Sequence, residues 1–259
     1  MRSWQPSLYL EFEKERTQPS IDLVGRIDID TPTRIIDIGC GPGNSTCVLR
    51  SRWPMADIVG LDNSNSMLEK AKVSHPDMKW VLANAADDLS YLGTFDIVFS
   101  NAAIQWIPNQ QSLLQRLFAM LNRDGILAIQ VPYVEHMPLH VALVQLATSN
   151  KWQGRFETMR SPYSMHSVQF YYNILRELSS DFEIWETNYY HIMDSYQALV
   201  KWSDGSALRP YLEHINDSLQ VKEFIQEYEH ALEDTYPKQP DGRILLPFTR
   251  IFFIARKRL

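Results

Sequence analysis

The sequence predicts an α/β fold built on a doubly wound, mostly parallel sheet, and three observations predict it. Short apolar runs alternate with helix-length segments between residues 33 and 131, which is the pattern of strand–helix–strand units. The first run, Arg34-Ile35-Ile36-Asp37-Ile38, leads directly into glycines at alternate positions, Gly39, Gly41 and Gly43. Asn44-Ser45-Thr46 then offers capping oxygens to a following helix. Strand, glycine turn and helix in that order let backbone approach a ligand at the carboxyl edge of an open α/β sheet.

The elements follow in order. Residues 6–16 carry apolar positions 8, 9 and 12 on one helical face, and Pro19-Ser20 restarts a short helix through Ile27. Strand one spans 33–38 and a helix spans 44–52. Strand two is Asp57-Ile58-Val59-Gly60-Leu61, ending at Asp62; Ser64 or Asn65 caps a helix to about Val73, which His75-Pro76 breaks. Strand three covers 78–82 and strand four 95–100. A helix from about Gln110 to Leu121 is closed by the turn Asn122-Arg123-Asp124-Gly125, and strand five is 126–131. After Pro132 the rhythm changes: 133–165 is mixed in polarity with two helical pieces, 166–178 is a helix, 181–190 a strand, 195–236 helical, and 243–255 the final strand.

Bulk properties narrow the function. The chain has 259 residues with 45% apolar content, enough for one large domain with a real core. A net charge of −6 disfavours nucleic acid as a partner. Cys40 and Cys47 read as reduced thiols of a cytoplasmic protein, no His/Cys cluster has metal-ligand spacing, and no metal is expected. The polar start carries no secretory apolar region, and no apolar run reaches the ~20 residues of a membrane helix, so no membrane partner is expected.

The glycine turn fits Asp-x-Gly-x-Gly-x-Gly better than the dinucleotide pattern Gly-x-Gly-x-x-Gly. Asp37, at the strand end, is expected to place a carboxylate where a dinucleotide would put its pyrophosphate. Repulsion disfavours that anion and suits a cationic amino-acid group, which points to S-adenosylmethionine. Asp62, ending strand two, is placed to accept the hydroxyls of a ribose, a feature that fits either cofactor.

These residues resemble the class I S-adenosylmethionine-dependent methyltransferases, and further segments resemble the trans-aconitate 2-methyltransferase family. They are Trp4-Gln5-Pro6-Ser7-Leu8-Tyr9-Leu10, Gly39-Cys40-Gly41-Pro42-Gly43-Asn44-Ser45-Thr46, Asn101-Ala102-Ala103-Ile104-Gln105-Trp106, Tyr189-Tyr190-His191, Leu208-Arg209-Pro210-Tyr211-Leu212 and Asp241-Gly242-Arg243-Ile244-Leu245-Leu246-Pro247-Phe248. The resemblance covers nearly the whole chain. It implies a Rossmann-like seven-stranded sheet with helices on both faces, the last strand antiparallel, and one methyltransferase domain over 1–259. Within it, about 30–132 would be the cofactor-binding core, and about 1–29, 133–178 and 195–240 a helical lid.

The same resemblance implies roles. Asp37, Gly39, Gly41 and Gly43 would line the methionine side of the cofactor, Asp62 would hold the ribose and Met67 would pack near it. Asn84 stands where many members carry an acid against the adenine amino group, and its amide oxygen is still an acceptor. Asn101 would lie beside the reacting methyl, with Cys40, Asn63 and Ala85 completing the cofactor set. Tyr9 and Phe12, three apart on the first helix, would close over the cofactor, where an aromatic ring gains cation–π attraction to a sulfonium. The loop Val131-Pro132-Tyr133-Val134 departs from the family's usual Met-Pro-Asp-Asn, exchanging two polar residues for an aromatic and an apolar one.

The implied reaction is methylation of a carboxylate oxygen of a small polycarboxylic acid, trans-aconitate first, leaving S-adenosylhomocysteine. It needs no acid–base residue and no nucleophile, only positioning. Arg209 is the leading cationic clamp, since guanidinium binds carboxylate as a fork. Tyr189, Tyr190 and His191 follow, with strand alternation allowing at most one tyrosine to line the site; Gln105 and Trp106 would floor the pocket. Other acceptors, such as a malonyl group on a carrier protein or a natural-product oxygen, stay open, as do an NAD-dependent oxidoreductase and a non-catalytic cofactor-binding protein. A monomer is expected.

Overall fold

The computed structural model describes residues 12–159, 163–204 and 207–258, with Glu13 by its backbone only. Seven strands form one sheet in the order β3-β2-β1-β4-β5-β7-β6. They are β1 (Arg34–Ile38), β2 (Asp57–Asp62), β3 (Lys79–Leu82), β4 (Phe95–Asn101), β5 (Leu121–Pro132), β6 (Asp181–Met193) and β7 (Ile244–Arg256). Pairings β1–β2, β2–β3, β1–β4 and β4–β5 are parallel, while β7 runs antiparallel to β5. The chain winds outward from β1 to β3, then returns to β4 on the other side of β1. The strand order therefore reverses between β1 and β4, which is where an open α/β sheet leaves a crevice for a ligand.

Burial explains the strands. Ile35, Ile36, Ile38, Ile97, Val98, Phe99, Leu127, Ala128 and Ile129 are all fully buried, as central parallel strands covered on both faces must be. Around them lie α1 (Glu13–Gly25), α2 (Asn44–Arg52), α3 (Asn65–Ser74), α4 (Gln110–Ala119) and α7 (Val168–Leu178). A single 3-10 turn at Ser90–Leu92 links β3 to β4.

Several boundaries differ from expectation, among them the end of the strand expected at 181–190, which runs to Met193, and the segment 195–236, which is three separate helices; two others have a clear physical cause. The break at Pro19 is absent: α1 runs through it. The proline removes one bond to the Glu15 carbonyl, and burial of Ser20, Leu23 and Val24 holds the second half in place. Strand β5 begins at Leu121 rather than Ile126. Leu121 pairs with Phe95 and Ile126 with Ile97, so the expected turn is an insertion within the strand, with Asp124 at φ 61° carrying the reversal.

The chain groups into two compact units. The larger comprises Glu13–Pro132, Tyr163–Thr187 and Arg250–Leu259; the smaller comprises Met1–Phe12, Tyr133–Pro162 and Asn188–Thr249. Helix α7, expected among the lid elements, falls in the larger unit, where Tyr171 lies 5.0 Å from Phe253 of β7. The smaller unit holds α5 (Pro138–Ala147), α6 (Gln153–Phe156), α8 (Tyr196–Asp204), α9 (Arg209–Glu213) and α10 (Ser218–Thr235). Its interior is aromatic. Trp152 and Phe156 both pack on Phe224, at 4.9 and 5.4 Å. The Tyr228 hydroxyl donates to the Leu139 carbonyl, and the Leu139 N–H donates to the Tyr236 hydroxyl. Among the described residues, no helix is long and apolar enough to cross a membrane.

Candidate functional site: a glycine cradle and a buried polar edge

The site begins where β1 ends. Gly39, Gly41 and Gly43 all have positive φ, at 72°, 56° and 100°, a region that side chains rarely adopt. A Cβ on Gly39 would lie 2.2 Å from the Ala103 Cβ, and one on Gly43 would lie 2.8 Å from Trp80. Gly41 is different: nothing lies within 4 Å of where its Cβ would be. Two glycines thus fit the turn against the protein, and the third leaves open space.

Backbone bonds hold the turn in shape. The N–H groups of Gly39 and Cys40 both donate to the Leu61 carbonyl, at 2.7 and 3.0 Å. Asp62 clips the turn to the next helix: Oδ2 accepts from Gly41 N–H and Oδ1 from Ser64 N–H, each at 2.8 Å. Ser64 in turn caps α3 by accepting from Met67 N–H. Each Asp62 oxygen keeps a second lone pair. Burial raises its pKa against these lowering bonds.

Asp37 corrects one expectation. Its carboxylate does not face the open side of the turn: it is 0% exposed, and Oδ2 accepts from Ser45 Oγ at 2.6 Å and Thr46 Oγ1 at 2.7 Å. Those hydroxyls were expected to cap α2. Instead the N-cap of α2 is Gly43, with no side-chain cap, because a buried carboxylate makes the stronger, charge-assisted bonds with the two hydroxyls. Oδ1 of Asp37 has no partner among the described residues. Burial pushes its pKa up to about 6, despite the two hydroxyls. The buried Cys40 thiol is likewise raised well above its ordinary value, first by burial and then by Asp37 and Asp62.

The remaining cofactor candidates lie along the same edge. Met67 and Ala85 are buried, while Asn63 and Asn84 are exposed. The Asn84 amide oxygen accepts from Ala86 N–H at 3.0 Å, so one of its lone pairs is already in use. Asn101 closes β4 and is 9% exposed, with Oδ1 unpartnered among the described residues. Beyond it, Ala102 sits at φ 53°, and Gln105 Nε2 donates back to the Ala102 carbonyl at 2.7 Å. Trp106 packs on Tyr163 at 4.7 Å. A neighbouring cleft lined by Asp87, Asp88, Ser90 and Arg116 shares only Ala85 with this set.

The other candidates belong to the smaller unit. Phe12 packs edge-on against Trp202 at 5.1 Å, and Tyr9 lies outside the described residues. Alternation puts Tyr189 and His191 on one face of β6, stacked at 6.4 Å, with His191 buried 4.7 Å from Trp202. Tyr190 is on the other face and 63% exposed. Arg209 Nε lies 3.3 Å from Glu213 Oε1, an i,i+4 pair within α9.

Sequence reasoning missed three residues. Gly60 gives Trp80 its place: a Cβ there would lie 2.4 Å from the indole. Gln130 and Arg250 are buried together, with Arg250 Nη1 donating to Gln130 Oε1 at 3.3 Å. The signal that finds them is polar residues inside two apolar strand runs, Gln130 in one and Thr249-Arg250 in the other. Among the described residues, no group of three or more His, Cys, Asp or Glu side chains can hold a metal ion.

A family of methyltransferase domains matches residues 29–197. The chain is 39% identical over 257 residues to the trans-aconitate 2-methyltransferase of Enterobacter sp. (strain 638), covering 99% of each. It is 38% identical, over the same length and share, to the protein of that name from Escherichia coli (strain K12 / DH10B). Its fold resembles the YcgJ protein of Bacillus subtilis, with a TM-score of 0.61 at 16% identity, covering 93% of this chain and 99% of that one. It also resembles Haemonchus contortus phosphoethanolamine N-methyltransferase 2, solved with S-adenosyl-L-methionine, with a TM-score of 0.56 at 18% identity, covering 93% of this chain and 53% of that one. With the glycine cradle at the switch point of a seven-stranded methyltransferase sheet, and similarity at this level over almost its entire length, the chain belongs to the trans-aconitate 2-methyltransferase family.

Proposed function

We propose that this chain is an S-adenosylmethionine-dependent O-methyltransferase that forms a monomethyl ester on a carboxylate of a small polycarboxylic acid, with trans-aconitate the first candidate. The observation that carries the reading is Gly41: its left-handed backbone has open space above it, at the carboxyl end of β1 beside its parallel neighbour β4. The residues present fit the cofactor. The cradle has room that a side chain would fill, two carboxyl groups give it negative character for a sulfonium and an ammonium, and Asp62 retains lone pairs for ribose hydroxyls.

When bound, S-adenosylmethionine supplies a methyl group on a sulfonium and leaves as S-adenosylhomocysteine. A carboxylate is already ionised at neutral pH, so the chain has no proton to remove. Its residues must align the acceptor oxygen with the methyl group and exclude water; alignment is worth about 7–11 kcal/mol of barrier. Gly39, Cys40, Gly41 and Gly43 hold the methionine side; Asp37 acts from beneath by holding the start of α2. Asp62 and Asn63 hold the ribose, Met67, Asn84 and Ala85 flank the adenine, and Asn101 stands at the reacting end. Gln105, Trp106, Tyr189, His191 and Arg209 are the proposed acceptor contacts. The reading includes a cytoplasmic monomer, with Cys40 and Cys47 as thiols.

The loop Val131-Pro132-Tyr133-Val134 favours a second reading, a carboxyl acceptor other than trans-aconitate. Its Tyr133 packs edge-on against His136 at 6.1 Å, so an aromatic group fills a position that the family resemblance would make polar. The test is methyl transfer from labelled S-adenosylmethionine to a panel of tri- and dicarboxylic acids, with mass spectrometry of the products. A monomethyl ester of trans-aconitate is expected. An ester of a different acid alone moves the substrate to the second reading, and binding of the cofactor with no ester at all overturns catalysis on acids.

A further inference from the structure

We propose that Gln130 orients the reacting carboxylate: its Nε2 donates to the oxygen that is not methylated and turns the other toward the methyl donor. The inference rests on the carboxyl methyltransferase reading above. Gln130 lies near the carboxyl end of β5 and is 0% exposed. Its Oε1 accepts from Arg250 Nη1 at 3.3 Å, which settles which end of the amide is the donor. That donor, Nε2, is buried with no partner among the described residues. Gln105 is oriented in the same way: its Nε2 donates to the Ala102 carbonyl at 2.7 Å, and its Oε1 is left over. Oδ1 of Asn101 is the third such atom.

Their placement points to a ligand. Asn101 and Gln130 are partners in the parallel β4–β5 register, so their side chains leave the same face of the sheet on strands about 4.8 Å apart. A donor and an acceptor therefore stand side by side without bonding each other. Buried amides are otherwise nearly always satisfied. The backbone around them is held: Ala102 N–H donates to the Gln130 carbonyl at 2.9 Å, and Ser100 Oγ donates to the Ile38 carbonyl at 2.8 Å. The second bond joins this group to the end of β1, where the glycine turn begins. All of these residues belong to the larger unit.

The chemistry sorts the three atoms by charge. An ionised carboxylate only accepts hydrogen bonds, so Gln130 Nε2 is the one of the three that can hold it. The two oxygens suit the positive end of the bound cofactor, and Gln105 then borders methyl donor and acceptor together. A neutral N–H withdraws less charge than a cation, so a carboxylate held by it at one oxygen stays nucleophilic at the other. The substrate class follows: a carboxylate is held by one oxygen and reacts through its second, whereas a hydroxyl has only one. As the ester forms, the carbon–sulfur bond breaks with its electron pair kept by sulfur, the carboxylate oxygen supplies the new bond, and the two charges cancel with no proton moved.

The test compares wild type with Gln130→Glu and Gln130→Met. The glutamate keeps an oxygen for Arg250 and replaces the donor by a second oxygen; the methionine keeps the length and removes both polar atoms. Measured for each are kcat/KM with trans-aconitate, or with whichever acid of the panel wild type esterifies, and S-adenosylhomocysteine binding by calorimetry. Inhibition by the monoamides of that acid, each with one carboxylate replaced by a carboxamide, is measured as well. Gln130→Glu is expected to lower kcat/KM by about 100-fold without weakening S-adenosylhomocysteine binding. It should also bind one monoamide more tightly than wild type does, because a carboxamide N–H at the reacting position can donate to the new oxygen. A purely structural role does not reverse that preference. Gln130→Met should lose about 10-fold in kcat/KM with no reversal. An unchanged kcat/KM, a loss with no gain for any monoamide, or a parallel loss of S-adenosylhomocysteine binding overturns the inference, while ester formation by wild type keeps the methyltransferase reading. If Gln130→Glu does not fold, Gln130→Met decides: a loss confined to kcat/KM supports the contact and an unchanged value overturns it. Wild type that binds S-adenosylhomocysteine but esterifies no acid removes the acceptor reading, and this inference with it.

Discussion

The two ends of the sheet's carboxyl edge are built differently. At the β1–β2 end, the shape is made by backbone. Glycines fold the turn, the Leu61 carbonyl accepts two of its N–H groups, and both oxygens of Asp62 already accept N–H bonds. Only Oδ1 of Asp37 is left over. At the β4–β5–β7 end, the shape is made by side chains, and Oδ1 of Asn101, Oε1 of Gln105 and Nε2 of Gln130 are buried without protein partners among the described residues. The first end is complete before a ligand arrives. The second leaves buried polar atoms that the proposed acceptor and its methyl donor would satisfy. A cofactor common to many methyltransferases suits preformed backbone, whereas an acceptor that varies between them suits side chains that single substitutions can change.

The comparison breaks most sharply at the glycines. Gly41→Val puts a branched side chain into the open space of the cradle and should abolish detectable S-adenosylmethionine binding, while left-handed backbone costs about 1–2 kcal/mol of stability. Gly39→Ala should do the reverse. Its Cβ meets Ala103 at 2.2 Å, and overpacking of that kind costs about 1–3 kcal/mol of stability. Calorimetry and thermal melts on the pair read both quantities; Gly41→Val that still binds would mean the ligand does not approach there.

Asp37 supplies a pH test of the same end. Its pKa rises from 3.8 in the ordinary carboxyl to about 6 when folded, so the native state holds its proton more tightly than the unfolded state. Stability from this group is therefore present at acidic pH and is lost as pH climbs through that window, levelling above about 6, by at most about 3 kcal/mol. Asp37→Asn should flatten that part of the stability profile. Cofactor binding should run the other way, strengthening as Asp37 ionises, because the bound group is cationic. A wild-type profile with no slope across the window contradicts the burial.

Asp62→Ala should weaken S-adenosylhomocysteine binding by about 1–3 kcal/mol through lost charge-assisted bonds. It should also lower the melting temperature, since it releases Gly41 and Ser64; an unchanged dissociation constant removes the ribose assignment. The smallest effect belongs to Arg209. Its pairing with Glu213 is of the i,i+4 kind worth about 0.3–0.5 kcal/mol, so Arg209→Ala should barely move the melting temperature while raising KM for the acid, as its proposed acceptor contact requires. An unchanged KM for the acid would remove Arg209 from the acceptor contacts.

The same contrast governs what was legible in the sequence. Helix α2 occupies 44–52 as expected, and β1, β2 and β4 match within a residue or so, because glycines, strand-end acids and apolar runs are local signals. The hydroxyls of Ser45 and Thr46 were misread as caps: a local pattern cannot show that a buried carboxylate lies beneath them. Pro19 was misread as a break because packing, which outweighs propensity, comes from elsewhere in the chain. The pair Gln130–Arg250 spans 120 residues and depends on the register of an antiparallel strand. Arg209 was legible as a cation, but its partner Glu213 was overlooked one helical turn away.

A crystal structure of the protein with S-adenosylhomocysteine and trans-aconitate tests the account most directly. It should show the cofactor product over Gly41 with its ribose on Asp62, and one carboxylate of the acid turned toward the sulfur beside Asn101. A product bound away from the glycine turn, or an acid with no carboxylate near the sulfur, would contradict it.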